Sequence, residues 1–358
     1  MKVYKVLGLM SGTSLDGLDL AYCHLWQNNS LWNFSIVTAK TLSYSDELRE
    51  QLKNAINLSE AEHAELHKVY GKYLGACAKG FIEANDLEVD FIASHGHTSH
   101  HRPEEGMTFQ LGEGQIISDT CGKTVVCDFR TKDVSLGGQG APLVPIGDRL
   151  LFNNYDFCLN LGGISNISFE KDGHRIAYDI GLANMPLNYI TERMGLAFDD
   201  GGKKASSGTL DLELLETLNQ LEYYKLPYPK STGYEFFSSQ VVPLIENSGA
   251  TDMDLLHTFI HHNCEQIAKS LKDHQSKVNP SVLVTGGGAL NDFFIKTLKA
   301  KLGSGFQLIV PDKTIIDFKE SLVFALMGVL KLEDDINVLS SVTGAREDSS
   351  SGKIFNPR

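Results

Sequence analysis

No stretch of the 358-residue sequence gathers lysine and arginine into a basic stripe, and 45 acidic residues outnumber 32 basic ones for a formal net charge of −13. A chain of that sign is repelled by a phosphate backbone, so nucleic acid is not an expected partner. Long apolar runs are also missing: nowhere do about 18 apolar residues follow one another, which excludes a membrane-spanning helix. The opening Met1-Lys-Val-Tyr-Lys-Val-Leu-Gly8 runs into a strand pattern without the apolar stretch of a signal peptide. The six cysteines (Cys23, Cys77, Cys121, Cys127, Cys158, Cys264) are scattered, include no C-x-x-C pair and fall in several cases in apolar patterns, so they read as reduced core thiols of a soluble, cytoplasmic protein. Present in quantity are apolar residues, 42% of the chain, enough to bury a large core in two domains.

Three strand patterns precede any helix: Val3 to Met10, Leu18 to Trp26 and Trp32 to Thr41. Helical stretches follow, one opening on the capping box Ser59-x-x-Glu62 with Leu66, Tyr70, Leu74 and Phe81 on one face. Short strands then end in Ser94-His-Gly-His97 and in Asp128-Phe-Arg130. After Leu136-Gly-Gly-Gln-Gly-Ala-Pro142 the opening order returns, as Phe157 to Leu161, a Gly162-Gly163 turn, Asn166 to Glu170 and Arg175 to Ile180. This internal repeat predicts two α/β lobes. Residues 1–145 would form the first, completed by 335–358, and 146–334 the second. Ser281 to Thr285 leads into a triple glycine and a helix to Leu302, and a last helix, near 318–330, precedes a polar tail.

Several segments could carry chemistry. Gly8-Leu-Met-Ser-Gly-Thr-Ser-Leu-Asp-Gly-Leu-Asp19 is a hairpin turn rich in hydroxyls and in glycines able to take positive φ, which suits it to phosphate oxygens. It is not a Walker A loop, since no Gly-Lys-Ser/Thr follows and the next element is a strand. Asp16 could hold a hydrated Mg²⁺. The alternative is a tight hairpin that only turns the chain. The echo at Gly162-Gly163, and the later Gly286-Gly287-Gly288, together outline an ATP site. Asp179, ending a strand, is a candidate general base beside the γ-phosphate, with a helix cap as the alternative. Arg130 could pair bidentately with an acidic sugar, or form an ordinary salt bridge. His95, His97, His100 and His101 invite a zinc reading, but no H-E-x-x-H helix and no completing Cys or Glu pattern accompanies them, so no metal is assigned there. His257, His261 and His262 are treated likewise.

Taken together, Gly8 to Asp19, Ser94-His-Gly96, Leu136-Gly-Gly-Gln-Gly-Ala-Pro-Leu-Val-Pro145, Leu159-Asn-Leu-Gly-Gly-Ile-Ser-Asn166, Pro229-Lys-Ser-Thr-Gly-x-Glu235, Val284-Thr-Gly-Gly-Gly-Ala-x-Asn291 and Ser341-Val-Thr-Gly-Ala345 resemble the signature blocks of the anhydro-N-acetylmuramic acid kinases. The resemblance implies an actin-like ATPase (ribonuclease H-like) fold of two lobes, each a mixed five-stranded sheet flanked by helices, with ATP and Mg²⁺ in the cleft between them. It implies that ATP and water open the 1,6-anhydro ring of anhydro-N-acetylmuramic acid to give N-acetylmuramic acid 6-phosphate and ADP, in cell-wall recycling. Gly12, Thr13, Ser14, Leu15, Asp16, Gly17, Leu18 and Asp19 would be the ATP-binding segment. Asp179 would activate water at the anomeric carbon, and Glu320 matches a family glutamate near the sugar. His97, Thr98, Arg130 and Asn184 are the candidate sugar contacts, with Lys203, Lys204 and Lys230 as further possibilities.

The chain departs from the family pattern in two places, His97 standing where the family usually has Gln, and Asp179-Ile-Gly-Leu-Ala-Asn184 where it usually has Asp-Thr-Gly-Pro-Gly-Asn. These changes keep open a kinase for an ordinary amino sugar without ring opening. A non-catalytic ATP-binding module and a zinc hydrolase are the rivals from other classes. Oligomeric state is left open, with a homodimer as one option.

Overall fold

The computed structural model describes residues 2–12 and 14–358. β1 (Val3–Ser11) and β2 (Leu18–Asn28), largely apolar and buried, form an antiparallel meander with the half-exposed edge strand β3 (Leu31–Leu42). β4 (Phe91–Arg102) joins β1 in parallel, β5 (Met107–Leu111) folds back antiparallel on the distal half of β4, and β6 (Thr124–Cys127) extends the sheet in parallel beside β4. Parallel pairs need crossovers. The first is the helix Glu60–Ala84, opened by the Ser59/Glu62 capping box, whose Leu66, Tyr70, Leu74 and Phe81 pack on Leu7, Leu9, Leu20 and Ile92 of the sheet.

The second unit repeats this order. β7 (Phe157–Leu161), β8 (Ile164–Lys171) and β9 (His174–Leu182) form an antiparallel meander, β10 (Ser281–Thr285) lies parallel to β7, and β11 (Gln307–Ile309) parallel to β10. The sheet order β11-β10-β7-β8-β9 matches β6-β4-β1-β2-β3 strand for strand. Its core joins Leu159, Leu161, Ile167, Val282 and Val284 to Phe259, Cys264 and Ile267 of the helix Asp252–Asp273.

Met1–Leu151 and Phe318–Arg358 make one compact unit and Phe152–Asp317 the other. The helix near 318–330, assigned to the second lobe on sequence, therefore belongs with the first, and the chain returns at residue 318 rather than 335. The reason is packing: Leu322, Val323, Phe324, Leu326 and Val329 of the helix Lys313–Leu332 are fully enclosed, a surface a terminal tail does not bury. β12 (Lys353–Phe355) then pairs antiparallel with β6. With β5 and β12 the first sheet has seven strands, not the five expected, while the second has five.

That helix lies so close to β1 that a Cβ on Gly8 would stand 2.1 Å from the Ser321 carbonyl oxygen. The obstacle is backbone and cannot rotate away. Gly8→Ala should cost about 3 kcal/mol of stability by forcing helix and strand apart, read from urea unfolding of the variant against the parent.

Candidate active site

In the first unit the β1–β2 turn carries the hydroxyl-rich segment. Thr13 lies outside the described residues. Ser14 and Asp16 are exposed, Gly12 and Leu15 half-buried, and Leu15 takes a left-handed φ of 60° while its N–H donates to the Gly12 carbonyl at 3.3 Å. A β-branched or bulky side chain pays for such a turn in strain, so the conformation is imposed by the hairpin. Gly17 passes close to β3, where a Cβ would meet the Leu42 carbonyl oxygen at 2.6 Å. Leu18 points into the core, so only its backbone could meet a nucleotide. Asp19 accepts a hydrogen bond from the Thr41 hydroxyl at 2.5 Å.

Behind this turn runs a buried polar chain. Tyr44 donates to Ser11 Oγ at 2.7 Å and lies 3.0 Å from the Tyr70 hydroxyl, and Ser11 Oγ and His97 Nδ1 share a hydrogen bond at 3.1 Å. His97 is 3% exposed, and burial pushes its imidazole down to about 4. It is therefore a neutral ring bracing the end of β1. Thr98, half-buried, accepts from Gln110 Nε2 at 3.3 Å.

His95 orients Arg130. The His95 Nδ1–H donates to the Gly96 carbonyl at 2.9 Å, which makes Nε2 an acceptor, and Arg130 Nε donates to it at 2.9 Å while Nη1 donates to the Gly140 carbonyl. Burial lowers the Arg130 pKa to about 10, against the charges of Glu320 and Asp133, so the guanidinium stays protonated at neutral pH. Glu320 still meets water, but desolvation by the surrounding protein pushes its carboxyl above the usual range, opposed by Arg130 and Lys319 and reinforced by Asp19. Asp133 is fully buried, accepting from the Gly140 N–H and from the Thr343 hydroxyl, both at 2.7 Å. Two signature blocks 200 residues apart in sequence, at 136–145 and 341–345, are thus tied to one carboxylate.

In the second unit strand register sets a polar row. Thr285 on β10 stands beside Asn160 on β7, Asn160 opposite Asn166 on β8, and Asn166 opposite Asp179 on β9. A bulge at Ile180 brings Asp179 into that row. The row ends against the glycine turns. The carbonyls of Gly162 and Gly163 accept the N–H groups of Asn184, Ala183 and Met185, while Asn184 Nδ2 donates to the Leu161 carbonyl at 2.9 Å. Asn184 also reaches the third turn, its Oδ1 lying 3.2 Å from where a Gly288 Cβ would sit. Gly286, at φ 80°, leaves no room for a side chain, because a Cβ would stand 2.5 Å from Asn160 Oδ1. Gly287 alone of the three is open. Asn184, expected to contact sugar, is thus the clasp between two turns.

Asp179 is half-buried and does not cap a helix: the helix Asn184–Arg193 begins beyond Ala183. Its N–H donates to the Lys230 carbonyl at 3.0 Å, its Oδ2 accepts the Thr232 N–H at 3.1 Å, and its carbonyl accepts the Tyr223 hydroxyl at 2.7 Å. Burial, only partly offset by the Thr232 N–H, raises its carboxyl to about 6. Lys230 donates to the Tyr223 carbonyl at 3.1 Å and lies over the Tyr223 ring, and Lys203 pairs with Asp200 on the surface, so neither is a ready anion contact.

The sequence model of the anhydro-N-acetylmuramic acid kinases matches residues 4–357. The chain belongs to the anhydro-N-acetylmuramic acid kinase family. It is 34% identical over 370 residues to the anhydro-N-acetylmuramic acid kinase of Gloeobacter violaceus, covering 95% of each chain. Against that of Francisella tularensis subsp. novicida it is 32% identical over 378 residues, covering 99% of both. A solved structure, component A of the Acidaminococcus fermentans (R)-2-hydroxyglutaryl-CoA dehydratase, aligns with 90% of this chain and 96% of its own at 13% identity and a TM-score of 0.45, too distant to bear on the site. Membership of a kinase family makes the chain an enzyme that uses ATP.

Mg²⁺ keeps several waters and needs only one or two protein carboxylates beside phosphate, which the exposed carboxylate of Asp16 fits. Among the described residues no group of three or more His, Cys, Asp or Glu side chains is arranged to hold a metal ion. Asn160, Asn166, Thr285 and Thr232 lie inside signature blocks but carry no individual role on sequence. The first three stand out as polar residues set singly in apolar strands. Thr232 has no such mark of its own, because it meets Asp179 only through the fold.

Proposed function

We propose that the chain takes ATP, water and 1,6-anhydro-N-acetylmuramic acid to N-acetylmuramic acid 6-phosphate and ADP, in the cytoplasm, during recycling of cell-wall sugar. The observation that carries this reading is the Asp179 carboxylate: half-buried, bound through Oδ2 alone among the described residues, and poised near neutrality. Such a group can accept a proton at physiological pH. Asp179 removes a proton from water as the water oxygen bonds to the anomeric carbon, the bond from that carbon to O6 breaks, and O6 takes the γ-phosphoryl group as ADP leaves. Gly12 to Asp19, with Gly162 and Gly163, would meet the phosphates through backbone N–H groups and hydroxyls, and Gly287 would let adenosine lie against backbone. Asp16 would hold Mg²⁺ through its waters, and the ion when bound neutralises phosphate charge. Glu320, Arg130 and Thr98 would take the polar groups of the sugar, His97 supporting them from behind.

Turnover of the purified anhydro sugar with ATP in ¹⁸O-labelled water tests the reading. Label at C1 of a 6-phosphorylated product is the expected result; phosphorylation without label would leave a simple sugar kinase instead. The pH dependence follows from the sign of the shift. A base raised to about 6 is protonated below that value, so kcat/KM should be steady above pH 7 and fall about tenfold per pH unit below 6.

A further inference from the structure

The signature block containing Pro229-Lys-Ser-Thr-Gly233 has no role assigned by the sequence, and the fold lays it along β9 at the proposed base. Two hydrogen bonds fix it to that residue, from the Asp179 N–H to the Lys230 carbonyl and from the Thr232 N–H to the side-chain Oδ2 of Asp179. The Thr232 side chain is left over. Its Oγ1 is shut off from solvent and has no hydrogen-bond partner among the described residues. A buried hydroxyl in that condition is unfavourable in the free protein, and native folds keep such groups where a ligand or water completes them. Here Oγ1 belongs to the same residue whose amide donates to the carboxylate.

We propose that the Thr232 hydroxyl is a second polar contact for the water that Asp179 deprotonates. Asp179 receives one O–H of that water and Thr232 Oγ1 accepts the other, which turns the oxygen lone pair toward the anomeric carbon. Thr232 gains and loses no proton in the step; the proton passes to Asp179. Lys230 does not compete for the position, since its ammonium is drawn away to the Tyr223 carbonyl and ring. The inference rests on Asp179 being the base.

Thr232→Val removes the hydroxyl while keeping the branched shape and the N–H that binds Asp179, and Thr232→Ser restores a hydroxyl. The valine variant should lose about 10- to 100-fold in kcat with KM for sugar and ATP within about 3-fold, and the serine variant should recover most of the loss. Its acid limb should stay near the wild-type position, because the amide contact is intact, and its melting temperature should match or exceed wild type. Full activity in the valine variant, an equal loss in the serine variant, or an acid limb that shifts along with kcat would each overturn the proposal. If valine is not accommodated by the fold, Thr232→Ala is read by the same criteria. Asp179→Asn separates the two failures: activity surviving in it sinks the base itself, whereas an inactive Asp179→Asn beside a fully active Thr232→Val sinks only the role of the hydroxyl.

Discussion

Asp179→Asn should reduce turnover by about 10³- to 10⁴-fold while ATP still binds, because asparagine keeps the shape and can accept the Thr232 N–H but cannot take a proton. The same change should stabilise the fold. The carboxyl of Asp179 is raised to about 6 from an ordinary value of 3.8, so ionising it costs more in the folded chain than in the unfolded one. That cost is fully present above pH 6 and disappears as pH falls toward 3.8. At pH 7 the variant should therefore gain roughly 1–2 kcal/mol, after allowance for the water that reaches a half-buried group, and the gain should vanish near pH 4. Turnover and urea unfolding, measured on one preparation, check both halves. A dead variant that is also less stable would indicate a structural carboxylate instead of a strained functional one.

Asp148→Ala should be among the most destabilising single changes in the first unit. Asp148, on the helix Pro145–Leu151, pairs with Lys319 at 2.6 Å, and the two side chains are only 6% and 7% exposed. Removing one partner strands the other charge inside the protein, which costs about 3–5 kcal/mol. Replacing both, as Asp148→Leu with Lys319→Met, should recover most of that loss, since the desolvation of two charges is removed along with their attraction. Thermal unfolding of the two single variants and the double variant closes the cycle. Activity should fall further than stability in the single variants, because Lys319 is followed by Glu320 and Ser321, and Ser321 is the residue in backbone contact with Gly8. Disturbing the pair moves a proposed sugar-side carboxylate.

The glycine hairpins and the duplication were legible because both are local. A strand, a glycine-bearing turn and a second strand leave the same mark on sequence wherever they occur, and the mark appears twice here, around Gly12 to Gly17 and around Gly162-Gly163. Asp179 was legible as the polar end of a strand. His97 was read as a sugar contact, and the fold instead places it at 3% exposure on Ser11; a histidine after a glycine looks the same whether the ring faces ligand or core. On sequence Arg130 suits either an acidic sugar or a salt bridge; what the sequence does not show is that its Nε and Nη1 go to His95 and Gly140. The β5 hairpin and β12 were missed because three to five residues at a sheet edge carry too little alternation to be distinguished from loop.

By itself the sequence determined the family, the two α/β halves and the residue types of the chemistry, since turn geometry and hydrophobic period depend on neighbours a few positions apart. Only the tertiary structure decided that the helix Lys313–Leu332 joins the first unit from Phe318 onward, that Asp133 ties 136–145 to 341–345, and that the Thr232 N–H meets Asp179. Those outcomes depend on contacts between segments tens to hundreds of residues apart, which packing and hydrogen-bond satisfaction select and no local pattern records.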